Sequence, residues 1–245
     1  MAIELKDLVC VVTGAGEGVG HGIVRGFLKR GARVVAGVLS LENSTAAVAP
    51  ALAVKMDVTR TDEVKRAVDD IIARHGRIDV WINNAGIYPR LPADEMTWSE
   101  WRRILDTNLD GAWRCCEAVI PQMKRQQGGV IINVGSVTLR LGMANLTHYL
   151  ASKGGLVGLT RGLARDLGKY GIRANCVHLG AIQTEGEMRL FPDQDNLRRI
   201  LDEKQSMPGR QTPDTIEPVF AFLASADSRD VTGQCLTVDR GWSHD

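Results

Sequence analysis

The chain lacks a net charge of any consequence: 30 basic side chains stand against 29 acidic ones. That balance excludes the electrostatic grip by which proteins hold nucleic acid or an anionic membrane surface, so neither is expected as a partner. Cysteine is sparse, five in 245 residues. Cys10, Cys115, Cys116, Cys176 and Cys235 are odd in number, scattered and without a C-x-x-C pair. This argues against a disulfide framework and against a zinc site, and no metal is expected. They read as small buried residues in a reducing compartment. No stretch reaches the roughly 20 apolar residues needed to span a bilayer. The opening MAIELKDLVCVV has neither a long apolar run nor a small-residue cleavage motif, so a cytoplasmic location is expected. Repeats, low-complexity tracts and linkers are also missing. One domain over residues 1–245 is expected.

What is present is an ordinary soluble composition, 44% hydrophobic and 24% charged. Short apolar runs alternate with segments of helical period. Strands are expected at 8–12, 33–38, 52–58, 78–86, 129–136, 172–180 and 234–239. Helices are expected at 19–31, 61–76, 98–127, 147–171 and 213–225, with Pro121 kinking or interrupting the third. Nearly all-apolar strands alternating with helices predict an α/β fold, a parallel sheet of seven strands with helices on both faces. The segment 184–212 is long for a plain connection. It reads equally as a substrate lid or as a solvated surface helix with its flanking loops.

Two motifs point to chemistry. TGAGEGVG, residues 13–20, follows the first strand and opens the first helix. Gly14, Gly18 and Gly20 allow a tight turn and close approach of a pyrophosphate to backbone N–H groups, and the helix would turn its positive end toward that phosphate. HYLASK, residues 148–153, sets Tyr149 and Lys153 one helical turn apart on the same face. An ammonium there would favour the phenolate and lower the tyrosine pKa from its ordinary value of about 10.

TGAGEGVG, the Asp57-Val58 pair, NNAG at 83–86, Asn108 in DTNLDGAW, Ser136 in INVGS and Tyr149-x-x-x-Lys153 follow in one order and spacing. This ordered set resembles the short-chain dehydrogenase/reductase family over essentially the whole chain. The resemblance implies a Rossmann-type doubly wound fold, a nicotinamide cofactor (NAD or NADP) and a homotetramer. It implies a catalytic set of Asn108, Ser136, Tyr149 and Lys153. Tyr149 would act as general acid/base, Ser136 would hold the substrate oxygen, and Asn108 would bend or hydrate its helix so that water relays protons to Lys153. It further implies that Gly14, Gly18, Val19 and Gly20 hold the pyrophosphate and that Asp57 and Val58 contact the adenine. Asn84 and Ala85 would lie along the adenosine-side ribose, Tyr149 and Lys153 would also touch the cofactor, and Ile182 and Thr184 would meet the carboxamide.

Three positions depart from the family pattern. The end of the second strand, AGVLS, lacks the acid that binds NAD ribose hydroxyls, which favours NADP, while Glu17 would repel a 2′-phosphate. Leu179-Gly180 replaces a common Pro-Gly. VDRGW replaces Asp-Gly-Gly, which offers Arg240 and Trp242 to a subunit contact. Pocket candidates Leu139, Leu141, Met143, Leu146, Leu190 and Phe191, with Arg140 and Arg189, suit a small to medium hydrophobic ketone or secondary alcohol. A 3-oxoacyl-thioester reductase is the alternative, with Arg102, Arg103 and Lys124 as its basic surface. A sugar-nucleotide epimerase is disfavoured by the length, and a cofactor-sensing protein without turnover by the presence of both Tyr149 and Lys153.

Overall fold

Val9–Val12, four apolar residues that are all buried, form the central strand β1. The computed structural model describes residues 3–244; residues 1, 2 and 245 and the side chains of 43 and 45–47 lie outside the described residues. After β1 come α1 (Gly18–Lys29), β2 (Arg33–Val38), α2 (Leu41–Val48), β3 (Leu52–Lys55), α3 (Thr61–His75) and β4 (Val80–Asn83). Next are α4 (Trp98–Leu105), α5 (Gly111–Gln126), β5 (Gly129–Ser136), α6 (Thr138–Leu141), α7 (Thr147–Leu167) and β6 (Ile172–Leu179). The chain ends with α8 (Glu185–Leu190), α9 (Gln194–Lys204), α10 (Pro213–Ala224) and β7 (Cys235–Val238).

The seven strands form one sheet in the order β3-β2-β1-β4-β5-β6-β7. Every pairing is parallel. This is the expected doubly wound Rossmann-type architecture. Because side chains alternate along a strand, each strand feeds two cores. Cys10 and Val12 pack with Ile23 and Phe27 of α1 and Ile216 and Phe220 of α10. Val9 and Val11 pack on the other face with Val68 and Ile71 of α3, Val119 of α5 and Leu163 of α7. No helix among the described residues is long and apolar enough to cross a membrane.

A buried polar chain ties the layers beneath the carboxyl edge. The Trp81 indole donates to Asn83, Asn83 donates to Asn133, and Asn133 donates to Thr160 of α7, each at 2.8 Å. Satisfied networks of this kind fix one arrangement, since any slip would leave a buried polar group unpaired.

Several boundaries differ from the sequence-based expectation. The interruption of 98–127 falls at Asp106–Asp110, five residues of π-helix, while Pro121 sits inside α5 without ending it. The cause lies in Asn108, whose side chain bonds both backbone groups of Ile87 and draws the chain inward there. Helix α2 was not anticipated, because LENSTAAV has no apolar stripe. The 184–212 segment holds two helices and runs out and back, closed by a bridge between Ile182 and Gln211.

Candidate active site

The strand order reverses between β1 and β4, and the glycine loop crosses that point. Gly14 has φ +61°, and a Cβ on it would lie 2.8 Å from the Ala85 Cα. A Cβ on Gly20 would lie 2.5 Å from both the Asn84 Nδ2 and the Gly14 carbonyl. Asn84 closes this packing by donating to the carbonyls of Thr13 at 2.9 Å and Gly14 at 3.0 Å. Thr13 Oγ1 in turn accepts from the N–H groups of Asn84 and Ala85, both at 3.0 Å. Helix α1 then begins with no side-chain cap and no acid in its first turn. Its leading N–H groups are left to a ligand, and the helix dipole favours an anion there. A cradle too tight for any Cβ beside an uncapped helix fits a dinucleotide pyrophosphate.

Ser136 ends β5, and its N–H donates to His178 Nδ1 at 3.1 Å. Its hydroxyl shares a hydrogen bond of 2.9 Å with Thr138 Oγ1. Lys153 of α7 donates to the Val134 carbonyl at 2.7 Å. Its ammonium lies 5.4 Å from the centroid of the Tyr149 ring. Asn108 donates to the Ile87 carbonyl at 2.9 Å and to Ser152 Oγ at 3.2 Å, and accepts from the Ile87 N–H at 2.8 Å. It is a buried clamp behind the site.

The acidities differ from the sequence-based expectation. Burial pushes Tyr149 up to about 12, against a hydrogen bond from Ser136 that lowers it. Burial also pulls Lys153 down to about 8. The expected depression of the tyrosine by the lysine is absent, because taking both groups out of water disfavours both charged forms.

These residues face one cavity of about 1520 Å³. Gly14, Gly18, Val19, Asp57, Val58, Asn84, Ala85, Ser136, Tyr149, Lys153, Ile182 and Thr184 line it. Gly20 and Asn108 do not line it and act from beneath. Asp57 accepts from the Thr59 N–H and hydroxyl at 2.9 and 2.7 Å, which shapes that corner. Leu141, Met143, Leu146, Leu190 and Phe191 line the wall as expected, and Leu179 joins them. Leu139 instead faces Gly154, where it would touch a Cβ at 3.5 Å. Arg189 pairs with Glu17 at 3.1 Å, linking α8 to the glycine loop. Arg240 donates to the carbonyls of Met207 and Pro208 within the chain, and Trp242 lines the cavity.

Sequence reasoning did not single out Tyr88, Arg90 or Trp242 as pocket residues. Tyr88 meets Tyr149 edge-on, with ring centroids 6.3 Å apart, and Arg90 lies 5.4 Å over the Phe191 ring. The available signal was the position of Tyr88 and Arg90 directly after NNAG, on the loop leaving β4.

A family model described as enoyl-(acyl carrier protein) reductase matches residues 14–243. A 3-oxoacyl-(acyl-carrier-protein) reductase of Thermotoga maritima is 35% identical over 246 residues, covering 98% of this chain and 99% of its own. A D-xylose 1-dehydrogenase of Caulobacter vibrioides is 33% identical, covering 98% of this chain and 97% of its own. Among solved structures, a putative short-chain alcohol dehydrogenase from Sinorhizobium meliloti superposes with a TM-score of 0.92 at 28% identity, covering 99% of this chain and 98% of that one.

Proposed function

The chain belongs to the short-chain dehydrogenase/reductase family and is an NAD(P)-dependent oxidoreductase acting on CH–OH and C=O groups, and from that premise we propose that it interconverts a hydrophobic ketone and its secondary alcohol with Tyr149 as general acid/base. The observation that supports this reading is the shared cavity wall of Ser136, Tyr149 and Lys153 beside the glycine loop. A bound nicotinamide would supply or accept the hydride. Tyr149, a neutral phenol while its pKa stands near 12, donates its proton to the ketone oxygen as that oxygen gains charge. Ser136 holds the same oxygen. Lys153, brought down to about 8, can return a proton to Tyr149 near neutral pH. In the reverse direction Tyr149 first gives its proton to the neutral Lys153, and as the phenolate it then accepts the alcohol proton. Asn108 holds the π-helical bend and Ile87 in place.

For the cofactor, Gly14, Gly18 and Val19 would hold the pyrophosphate, with Gly20 allowing the loop to pack closely beneath them, Asp57 and Val58 would hold the adenine, Asn84 and Ala85 the ribose side, and Ile182 and Thr184 the carboxamide. Residues 36–40 contain no acid to bind two ribose hydroxyls. The one charged side chain of the glycine loop, Glu17, is already engaged by Arg189. NAD(H) and NADP(H) should therefore bind within about ten-fold of each other, a difference of about 1.4 kcal/mol.

The apolar wall favours a small to medium hydrophobic substrate, with 184–212 as its lid. The 3-oxoacyl-thioester alternative gains from the Thermotoga relative, yet its basic surface is thin. Arg102 pairs with Asp110, Lys124 sits over the Tyr170 ring, and of the three only Arg103 lines the cavity. Self-association as a homotetramer is supported by Trp98 of α4 and Trp113 of α5, 74% and 48% exposed. Sedimentation showing only monomer at micromolar concentration would remove that part.

The test is nicotinamide absorbance with aryl and alkyl ketones, free aldoses and acetoacetyl-thioesters as substrates. Turnover of ketones above the others is expected, and Tyr149→Phe should lower it by about 10³-fold with dinucleotide binding retained. Surviving activity in Tyr149→Phe would sink the mechanism.

A further inference from the structure

Behind the catalytic wall, β6 and β7 bring together two thiols that lie far apart in the sequence. Cys176 and Cys235 are register partners in the parallel pairing of these strands. Register partners project on the same face, and strands about 4.8 Å apart fall inside the Cα separation of about 4.4–6.8 Å that a disulfide spans. One ligand atom from each of Cys176, Cys235 and His178 lies within 4.8 Å of the others. Gly135 leaves them room, since a Cβ there would lie 2.5 Å from His178 Nδ1 and 2.8 Å from Cys176 Sγ.

The arrangement resembles a metal site, but the histidine argues otherwise. His178 Nδ1 accepts the Ser136 N–H. A neutral ring with an acceptor at Nδ1 carries its proton on Nε2, so neither nitrogen has a free lone pair for a metal. The ring instead serves Cys235 as a hydrogen-bond donor. Hydrogen bonds from Cys176 and then from His178 hold the Cys235 thiol below its usual range. Cys176 is held well above it, by its bond to Cys235 and by burial. Cys176 is buried and Cys235 is partly exposed. The partly exposed sulfur is thus the more readily ionised, and the buried one holds its proton more tightly, the division of labour of an attacking and a resolving cysteine.

We propose that Cys235 and Cys176 form a peroxide-responsive thiol pair that closes to a disulfide beside the active site. The Cys235 thiolate attacks one oxygen of a hydroperoxide. An S–O bond forms, the O–O bond breaks, and the departing alkoxide or hydroxide takes up a proton from solvent. Cys176 then attacks the Cys235 sulfenic acid, forming the S–S bond and breaking the S–O bond, and its thiol proton leaves with the hydroxide as water. Two electrons pass from the two sulfurs to the peroxide. The cluster touches the catalytic set twice, through His178 on the Ser136 N–H and through Cys176 beside Lys153. Closing the bond changes the surroundings of both residues. The proposal does not rest on the substrate reading.

The experiment exposes the purified full chain to hydrogen peroxide, blocks free thiols with an alkylating agent and maps the peptides by mass. A Cys176–Cys235 linkage lighter by two hydrogens and reversed by dithiothreitol is expected, with Cys10, Cys115 and Cys116 still reduced. Without peroxide, Cys235 should be alkylated at least about ten-fold faster than the buried cysteines. In Cys176→Ser, Cys235 should stop at a sulfenic acid that dimedone captures; the wild-type map stands alone should that variant fold poorly. The proposal is overturned if Cys235 stays reduced, or if wild-type Cys235 accumulates as sulfinic acid without bonding Cys176. Stoichiometric zinc binding that blocking the thiols abolishes would also overturn it, and would assign the cluster to a metal.

Discussion

Lys153 Nζ donates to the Val134 carbonyl at 2.7 Å, which pins the lysine of α7 to β5 two residues before Ser136. The bond satisfies one of the three donors of a buried ammonium and sets its place before any substrate arrives. It also explains why the residue keeps a fixed position while burial lowers its proton affinity.

That lowering has a stability consequence with a definite sign. The folded pKa of about 8 lies below the ordinary 10.5. Across this window the unfolded chain binds more protons, so stability contributed by Lys153 rises with pH. Tyr149, pushed up to about 12 from 10.0, opposes this above pH 10, where the folded chain holds the extra proton. Urea unfolding of wild type and Lys153→Met should therefore diverge in favour of wild type from pH 8 toward 10, by at most about 1.4 kcal/mol per pH unit. A constant difference would contradict the burial argument.

Gly20→Ala should damage cofactor binding more than folding. Its Cβ would meet the Asn84 amide and the Gly14 carbonyl, both 2.5 Å away, and the loop must open to relieve them. A strain of about 1–3 kcal/mol predicts a loss of dinucleotide affinity of about five-fold to 150-fold in a fluorescence titration. An unchanged dissociation constant would show that the loop does not need this packing.

Arg30 and Glu217 join α1 to α10 through two hydrogen bonds of 2.9 and 3.0 Å. Glu217 is nearly buried, so Glu217→Gln strands a guanidinium without its countercharge. Urea unfolding should show a loss of about 3 kcal/mol, with the dinucleotide affinity of the folded fraction unchanged.

The Glu17–Arg189 pair is different, because both side chains are mostly exposed. Arg189→Ala should leave the thermal midpoint within about 3 °C. It should still speed dinucleotide release several-fold in stopped-flow fluorescence, since the pair holds α8 against the glycine loop. No change in release rate would detach α8 from any lid role.

Much of the molecule was legible in the order of its residues. Apolar runs such as VCVV and RVVAGV can satisfy their backbone only in a buried sheet, and the helices between them require parallel pairing. Gly76 ended α3 as expected because it adopts φ +75°. The glycine loop and the Tyr149–Lys153 pair were legible because each depends on local spacing. Tyr88 and Arg90 were missed because a loop side chain carries no periodic signal. Pro121 misled because the break was made by Asn108 reaching across to Ile87, a contact between distant segments.

By itself, then, the sequence determined the sheet, its helices and the catalytic helix, since these follow from apolar period and turn chemistry acting over a few residues. The tertiary structure decided the acidities of Tyr149 and Lys153, which depend on burial by the whole cavity wall and run opposite to the local pair argument. It also decided that Cys176, His178 and Cys235 share one site. Their distance along the chain hides them from any spacing rule, and only the parallel register of β6 with β7 lays the two sulfurs side by side.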